Sequence, residues 1–275
     1  DGYDTIDNKK PFALLYFNER MQQIHREWLR QLLTTTNPYP GARLADEPAV
    51  AIVEVVNEDS FFFWTFSKSN VPAAHWSHLE SLYADWLGER YGSVQAAADA
   101  WGAVLDDDDI AAGRAAILEA WHMTGDGSRA GGDAKTRRMG DQVRFLTELQ
   151  RSFYADTTSY IKDVLGYGGL VTASNWHVTD GAILDALERY TYTAGDVIDR
   201  HGYFGGKHTG EGAGYSVRID HEFADRAGVR APEALPLAIA QVEGHPHTIS
   251  EIGWPQPNRF RADMTFLSSA YGSLQ

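Results

Sequence analysis

The chain has no cysteine among its 275 residues. That excludes a disulfide framework, a thiolate nucleophile and a thiolate-bound metal, and it fits a reducing or an exported setting equally. Long apolar stretches are missing too. No run of about 18 apolar residues occurs, so no segment has the length of a membrane-spanning helix. Basic residues are scarce: 24 Lys and Arg stand against 38 Asp and Glu, a net charge of −14. That balance disfavours nucleic acid and anionic membranes as partners and suits a neutral or cationic ligand. No signal peptide opens the sequence. Asp1-Gly2-Tyr3-Asp4 resembles the interior of a domain, as if a leader were missing, so a secreted or periplasmic location is expected. What is plentiful is aromatic: 8 Trp and 13 Tyr. Such rings pack cores, and they also stack on the apolar faces of sugars. The length and 43% hydrophobic content suffice for one large core.

Helical and strand patterns alternate along the chain. A 3.6-residue period through Met21, Ile24, Trp28, Leu29 and Leu32 predicts a helix over 17–34 with Asn18 as N-cap. Val50–Val56 is a near-continuous apolar run, as in a parallel strand covered on both faces. Helices are predicted over 74–91, 94–101 and 110–123, the last led by Asp106–Asp109 as a solvated, dipole-favoured start; a calcium site is the rival reading of those acids. Gly125–Gly132 reads as a flexible break. A long helix over 138–165, a strand over 170–173 and a helix over 180–190 follow. Val197-Ile198 leads to Arg200-His201-Gly202-Tyr203-Phe204 and a Gly-rich loop over 205–214. A short helix over 235–242, a strand at His247–Trp254 and a helix over 259–271 complete the series. This alternation argues for an α/β fold with a parallel sheet. The stretch over about 61–137 is too long for a simple loop and is expected to be a helical insertion.

Two strands end in acids, Glu58 and Glu251. In a (β/α)8 barrel all strands point one way and active sites gather at their C-terminal ends. A pair of carboxylates there suits glycosidic bond cleavage, one protonating the leaving oxygen and the other attacking the anomeric carbon; a spacing of roughly 5–5.5 Å means retention. Glu54 lies an even number of residues before Glu58, on the same face of an ideal strand, where a basic partner is expected. His201, His208, His221, His245 and His247 lack a tight metal-ligand spacing, so no metal is expected. The Gly-rich loop lacks the order of a phosphate-binding loop and is read as a mobile mouth loop.

Asn57-Glu58 closing an apolar strand resembles the Asn-Glu signature of the clan A glycoside hydrolases. Ser250-Glu251-Ile252-Gly253-Trp254 is similar to that clan's seventh-strand motif. The resemblance implies an α/β (β/α)8 barrel and a retaining β-glycosidase without a cofactor. Glu58 would be the acid/base, Glu251 the nucleophile and Asn57 the ligand of the sugar 2-hydroxyl. His201 and Tyr203 would lie on the sixth strand, with Tyr203 bonded to Glu251. Asn175, Trp176 and His177 would form the fifth-strand tip and contact substrate, with Trp254 and Trp64 as sugar platforms or core. Tyr91-Gly92-Ser93 followed by Ala100-Trp101-Gly102 resembles an insertion in clan β-galactosidases. On this mapping the chain holds strands four to seven, with the rest of the barrel expected from the same longer chain or another. A carbohydrate-binding barrel without catalysis, and a metal-assisted hydrolase, are the rival functions.

Overall fold

Asn18 starts the first helix by accepting a hydrogen bond from the Met21 amide (2.9 Å). Its side chain satisfies an amide that has no partner within the helix. Helix α1 (Glu19–Thr34) buries Leu29 and Leu33, whereas Ile24, Trp28 and Leu32 of the expected stripe are exposed. The computed structural model describes residues 12–214, 216–238 and 240–274. They form two compact units, one ending at Ile198 and one beginning at Asp199. Asp1–Asp4 lies outside the described residues.

In the first unit, β1 (Ile52–Glu54) pairs in parallel with β2 (Leu170–Thr172), Ile52 opposite Leu170 and Glu54 opposite Thr172. The ladder runs on through the Val55 and Val56 amides to the Thr172 and Ala173 carbonyls. A parallel bridge from Thr172 to Val197 adds a third extended segment. Ile52 is 39% and Leu170 43% exposed, so the strands are not covered on both faces as their apolar run suggests.

Between β1 and β2 lie the helices α2 (Ala73–Tyr91), α3 (Val94–Trp101), α4 (Gly125–Arg129) and α5 (Gly132–Ser159). Gly92 and Gly102 close α2 and α3 with left-handed backbone (φ 87° and 69°), which glycine adopts without a Cβ penalty. The expected helix over 110–123 is absent: only Ala120–Met123 is helical, as a 3₁₀ segment. Asp108 is the reason. Its carboxylate is fully buried, takes both Arg138 guanidinium arms (2.7 Å each), and accepts the Leu105 and Ala116 amides (2.7 and 2.8 Å). That uses the acid to tie a loop to α5, neither as a solvated helix start nor as a cation ligand. The Arg138 side chain also lies over the Trp101 ring, 4.9 Å from its centroid. Helix α5 starts six residues before the expected position, and the supposed break holds α4, capped by Thr124. After β2, α6 (Asp185–Tyr192) leads to β3 (Ile198–Asp199), where the unit ends.

In the second unit, β4 (Gly202–Tyr203) pairs in parallel with β8 (Ile252–Gly253). The expected mouth loop is instead a hairpin arm, with β5 (Lys207–Thr209) antiparallel to β6 (Glu222–Ala224). The strand expected at His247–Trp254 is broken into β7 (His247–Thr248) and β8, with Ser250-Glu251 bending between them. No helix forms over the described residues of 235–242; Ile239 lies outside them. Pro236 interrupts that segment and packs so closely on Gly202 that a Cβ there would sit 2.3 Å away. Phe204, Ala231, Leu235, Trp254 and Leu267 of α7 (Asp263–Leu274) make the core.

Candidate active site

The first unit carries the Asn57-Glu58 tip. The β1 ladder ends at Val56, and Glu58 turns the chain with φ +52°. That left-handed conformation is uncommon for any residue but glycine. It also breaks the even-offset reasoning that placed Glu54 and Glu58 on one face, because the pleat stops before residue 58. The Glu58 amide donates to Asn175 Oδ1 (3.1 Å), and Asn175 Nδ2 donates to Asn57 Oδ1 (3.1 Å) and to the Glu54 carboxylate. Asn175 is fully buried. Sequence reasoning made it a substrate contact and gave Glu54 a basic partner; here the Asn175 amide holds the neighbouring strand tip and reaches Glu54. Trp176 is half-buried with its ring edge-on to Phe63 (4.9 Å), and His177 is exposed beside it. Trp64 is 53% exposed.

Beneath this tip lies a buried polar cluster. Glu188 Oε2 accepts from Ser60 Oγ (2.7 Å) and Gln150 Nε2 (3.1 Å), and its Oε1 accepts from Tyr192 Oη (2.6 Å). Asp59 accepts the Ala13 and Ser60 amides (2.7 and 2.9 Å), while its own carbonyl accepts from Tyr16 Oη (2.7 Å). Removal from water disfavours the charged form, so burial pushes both carboxyls up to about 7.

In the second unit, Glu251 sits exposed in the bend between β7 and β8, just before the β4–β8 pairing begins at Gly202 and Ile252. Tyr203 Oη donates to Glu251 Oε2 at 2.5 Å, the contact the resemblance implies. His201 is buried, with Nδ1 3.6 Å from the same oxygen and Nε2 3.1 Å from Ser250 Oγ. Ser250 Oγ donates to Asp199, whose carboxylate also accepts the Ser250 amide and Thr248 Oγ1 (2.9 Å each). The single Ser250 proton is thereby spent on Asp199, so Ser250 Oγ accepts from His201 Nε2–H. Trp254 is buried against Phe204 (5.3 Å), and its ring serves the core. A cleft of about 430 Å³ opens between the hairpin arm and residues 255–258, lined in part by Lys207, His208, Phe223, Asp225 and Gln256. His208 Nε2 and His221 Nδ1 are hydrogen-bonded to each other at 2.8 Å, which occupies nitrogens a metal would need.

The structure thus brings Asn57, Glu58 and Asn175 together in one unit, and His201, Tyr203 and Glu251 in the other. Asp199, Ser60, Gln150 and Glu188 escaped sequence reasoning. A signal exists for Glu188: at helical spacing it shares a face with Leu184, Thr191 and Tyr192, all buried, where an acid is out of place. No family model, curated protein or solved structure matches the chain.

Proposed function

We propose that this protein is a retaining β-glycoside hydrolase. Glu58, as the carboxylic acid, gives its proton to the glycosidic oxygen while a Glu251 oxygen attacks the anomeric carbon. The carbon–oxygen bond breaks, the alcohol leaves, and a glycosyl ester on Glu251 remains. Glu58, now a carboxylate, takes a proton from water as that water attacks the same carbon. The ester breaks and the sugar departs with its configuration retained. Asn57, its Oδ1 engaged by Asn175, has its NH₂ to donate to the sugar 2-hydroxyl.

The observation that carries this reading is the Tyr203 hydroxyl on Glu251 Oε2. A charge-assisted bond of 2.5 Å fixes the rotation of an otherwise exposed carboxylate and leaves Oε1 to face an anomeric carbon. The fixed geometry is what a nucleophile needs, because orientation supplies much of the rate of a bound reaction. The parallel pairing of β1 with β2, with Glu58 just past the C-terminal end of their ladder, supports a strand-tip acid of the kind a (β/α)8 barrel uses.

The test uses the full-length protein, a panel of nitrophenyl β-glycosides and plant and algal polysaccharides. Glu251→Ala should abolish hydrolysis, and azide should restore turnover with a glycosyl azide of inverted configuration. Glu58→Ala should retain activity only on activated aryl leaving groups, with azide giving the retained product. Hydrolysis that survives both substitutions would overturn the reading. Oligosaccharide binding without turnover in the wild type would replace it with a carbohydrate-binding function.

A further inference from the structure

We propose that Glu188 is the positioning residue of the Asn57-Glu58 tip: its buried carboxylate orients three side chains that in turn hold the backbone following Glu58 and Asn175. The inference rests on the reading of Glu58 as acid/base, and it concerns residues of the first unit alone.

A left-handed glutamate persists only where its surroundings impose it. On the N-terminal side of Glu58 the constraint is the β1 ladder through Val55 and Val56. On the other side it is a set of side chains, each with a double duty. Ser60 Oγ donates to Glu188 and accepts the Phe62 amide (2.9 Å). Gln150 Nε2 donates to Glu188 while its Oε1 accepts the Phe61 amide (3.1 Å). Tyr192 Oη donates to Glu188 and accepts the Trp176 amide (3.0 Å). Three donors converge on one carboxylate, and each offers its acceptor to a main-chain N–H just past a strand tip. Two of those amides follow Glu58, and the third follows the Asn175 that binds the Glu58 amide.

In its ionised form Glu188 is an acceptor-only group, and the direction of every bond follows from that form. A neutral amide there would put an NH₂ against three donors, and at least one of them would have to turn away from its backbone partner. A carboxylate buried for packing alone is a poor choice, since apolar side chains of the same volume fill a core without the desolvation cost. Its placement between the two strand tips gives that cost a purpose. Glu188 touches neither substrate nor reacting atoms in this scheme; it acts through Ser60, Gln150 and Tyr192.

The experiment compares Glu188→Gln, Tyr192→Phe and Ser60→Ala in the full-length protein, the latter two removing one donor each. Leu87→Ala, in the buried face of α2, serves as a control that destabilises elsewhere. Amide hydrogen exchange should accelerate at Phe61, Phe62 and Trp176 in Glu188→Gln, at Trp176 in Tyr192→Phe and at Phe62 in Ser60→Ala, and at none of them selectively in the control. With an aryl β-glycoside, kcat should fall by roughly 10²-fold in Glu188→Gln with KM little changed, as for a misplaced catalytic group. Unchanged exchange at the three amides overturns the proposal whatever happens to kcat. A kcat loss no larger than in Leu87→Ala overturns the positioning role. Faster exchange in Glu188→Gln, with full activity in Glu58→Gln, sinks the acid/base assignment while the hold of Glu188 on the two tips stands. If Glu188→Gln does not fold, Tyr192→Phe and Ser60→Ala decide by the same exchange readout.

Discussion

Glu188 makes a pH-dependent contribution to stability whose sign is opposite to that of an ion-paired acid. Its carboxyl is fully buried and rises from an ordinary 4.5 to about 7, through desolvation first, against the hydrogen bonds from Tyr192, Ser60 and Gln150 that favour the anion. The folded state therefore holds the Glu188 proton more tightly than the unfolded chain does. The stabilisation from this group is complete below about 4.5 and is lost as pH rises through about 7. Multiplying that rise by about 1.4 kcal/mol per pH unit gives a swing of ~3 kcal/mol. Glutamine has no proton to lose, so Glu188→Gln does not share the fall. Urea unfolding of both proteins across pH 4.5–8.5 measures it. The stability of the wild type relative to Glu188→Gln should drop by ~3 kcal/mol from the acid to the alkaline end. Taking the difference cancels the titrating groups that do not interact with Glu188 and leaves its own titration with the weaker coupling to Asp59. A difference that stays constant, or one that grows in favour of the wild type as pH rises, refutes the reasoning. The anion that accepts all three donors is then the form that costs the fold most.

Three further outcomes follow from particular contacts. Arg138→Met strands the Asp108 carboxylate in a site where both side chains are fully buried, so thermal unfolding should report a loss of ~3–5 kcal/mol. Tyr203→Phe removes the hydroxyl on Glu251 and should lower kcat/KM by roughly 10- to 100-fold, while calorimetry finds the melting temperature unmoved because the ring is half exposed. Gly206→Ala would put a Cβ 1.8 Å from the Ala224 carbonyl oxygen, beside the Lys207–Ala224 pair; limited proteolysis should then cut the β5–β6 arm faster than in the wild type.

Much of the local structure was legible because its causes are local. Asn18 caps a helix and Gly92 and Gly102 end helices, each through residues within a few positions of one another; the apolar Val50–Val56 run shows itself as a strand by composition, although its partner Leu170–Thr172 is distant. The Tyr203–Glu251 contact was legible only through the resemblance, since nothing in the spacing of those residues requires it. What stayed hidden depends on distant partners. Asp106–Asp109 looks like a helix start until Arg138, 30 residues on, claims Asp108. Asn175 looks like a ligand contact until its partners, 117 and 118 residues away, are known to be Glu58 and Asn57. Glu188 carries a weak local signal, an acid on a buried helix face, but its meaning comes from Ser60, 128 residues earlier.

The positive φ of Glu58 has a practical consequence for anyone who tries to harden this protein against heat. Position 58 is where a saturation screen scored on melting temperature would favour glycine or asparagine, because those residues tolerate that backbone at less cost. Each such gain would erase the carboxylate. A stability campaign should therefore hold residue 58 constant, and would do well to treat the best-scoring hits there as a warning.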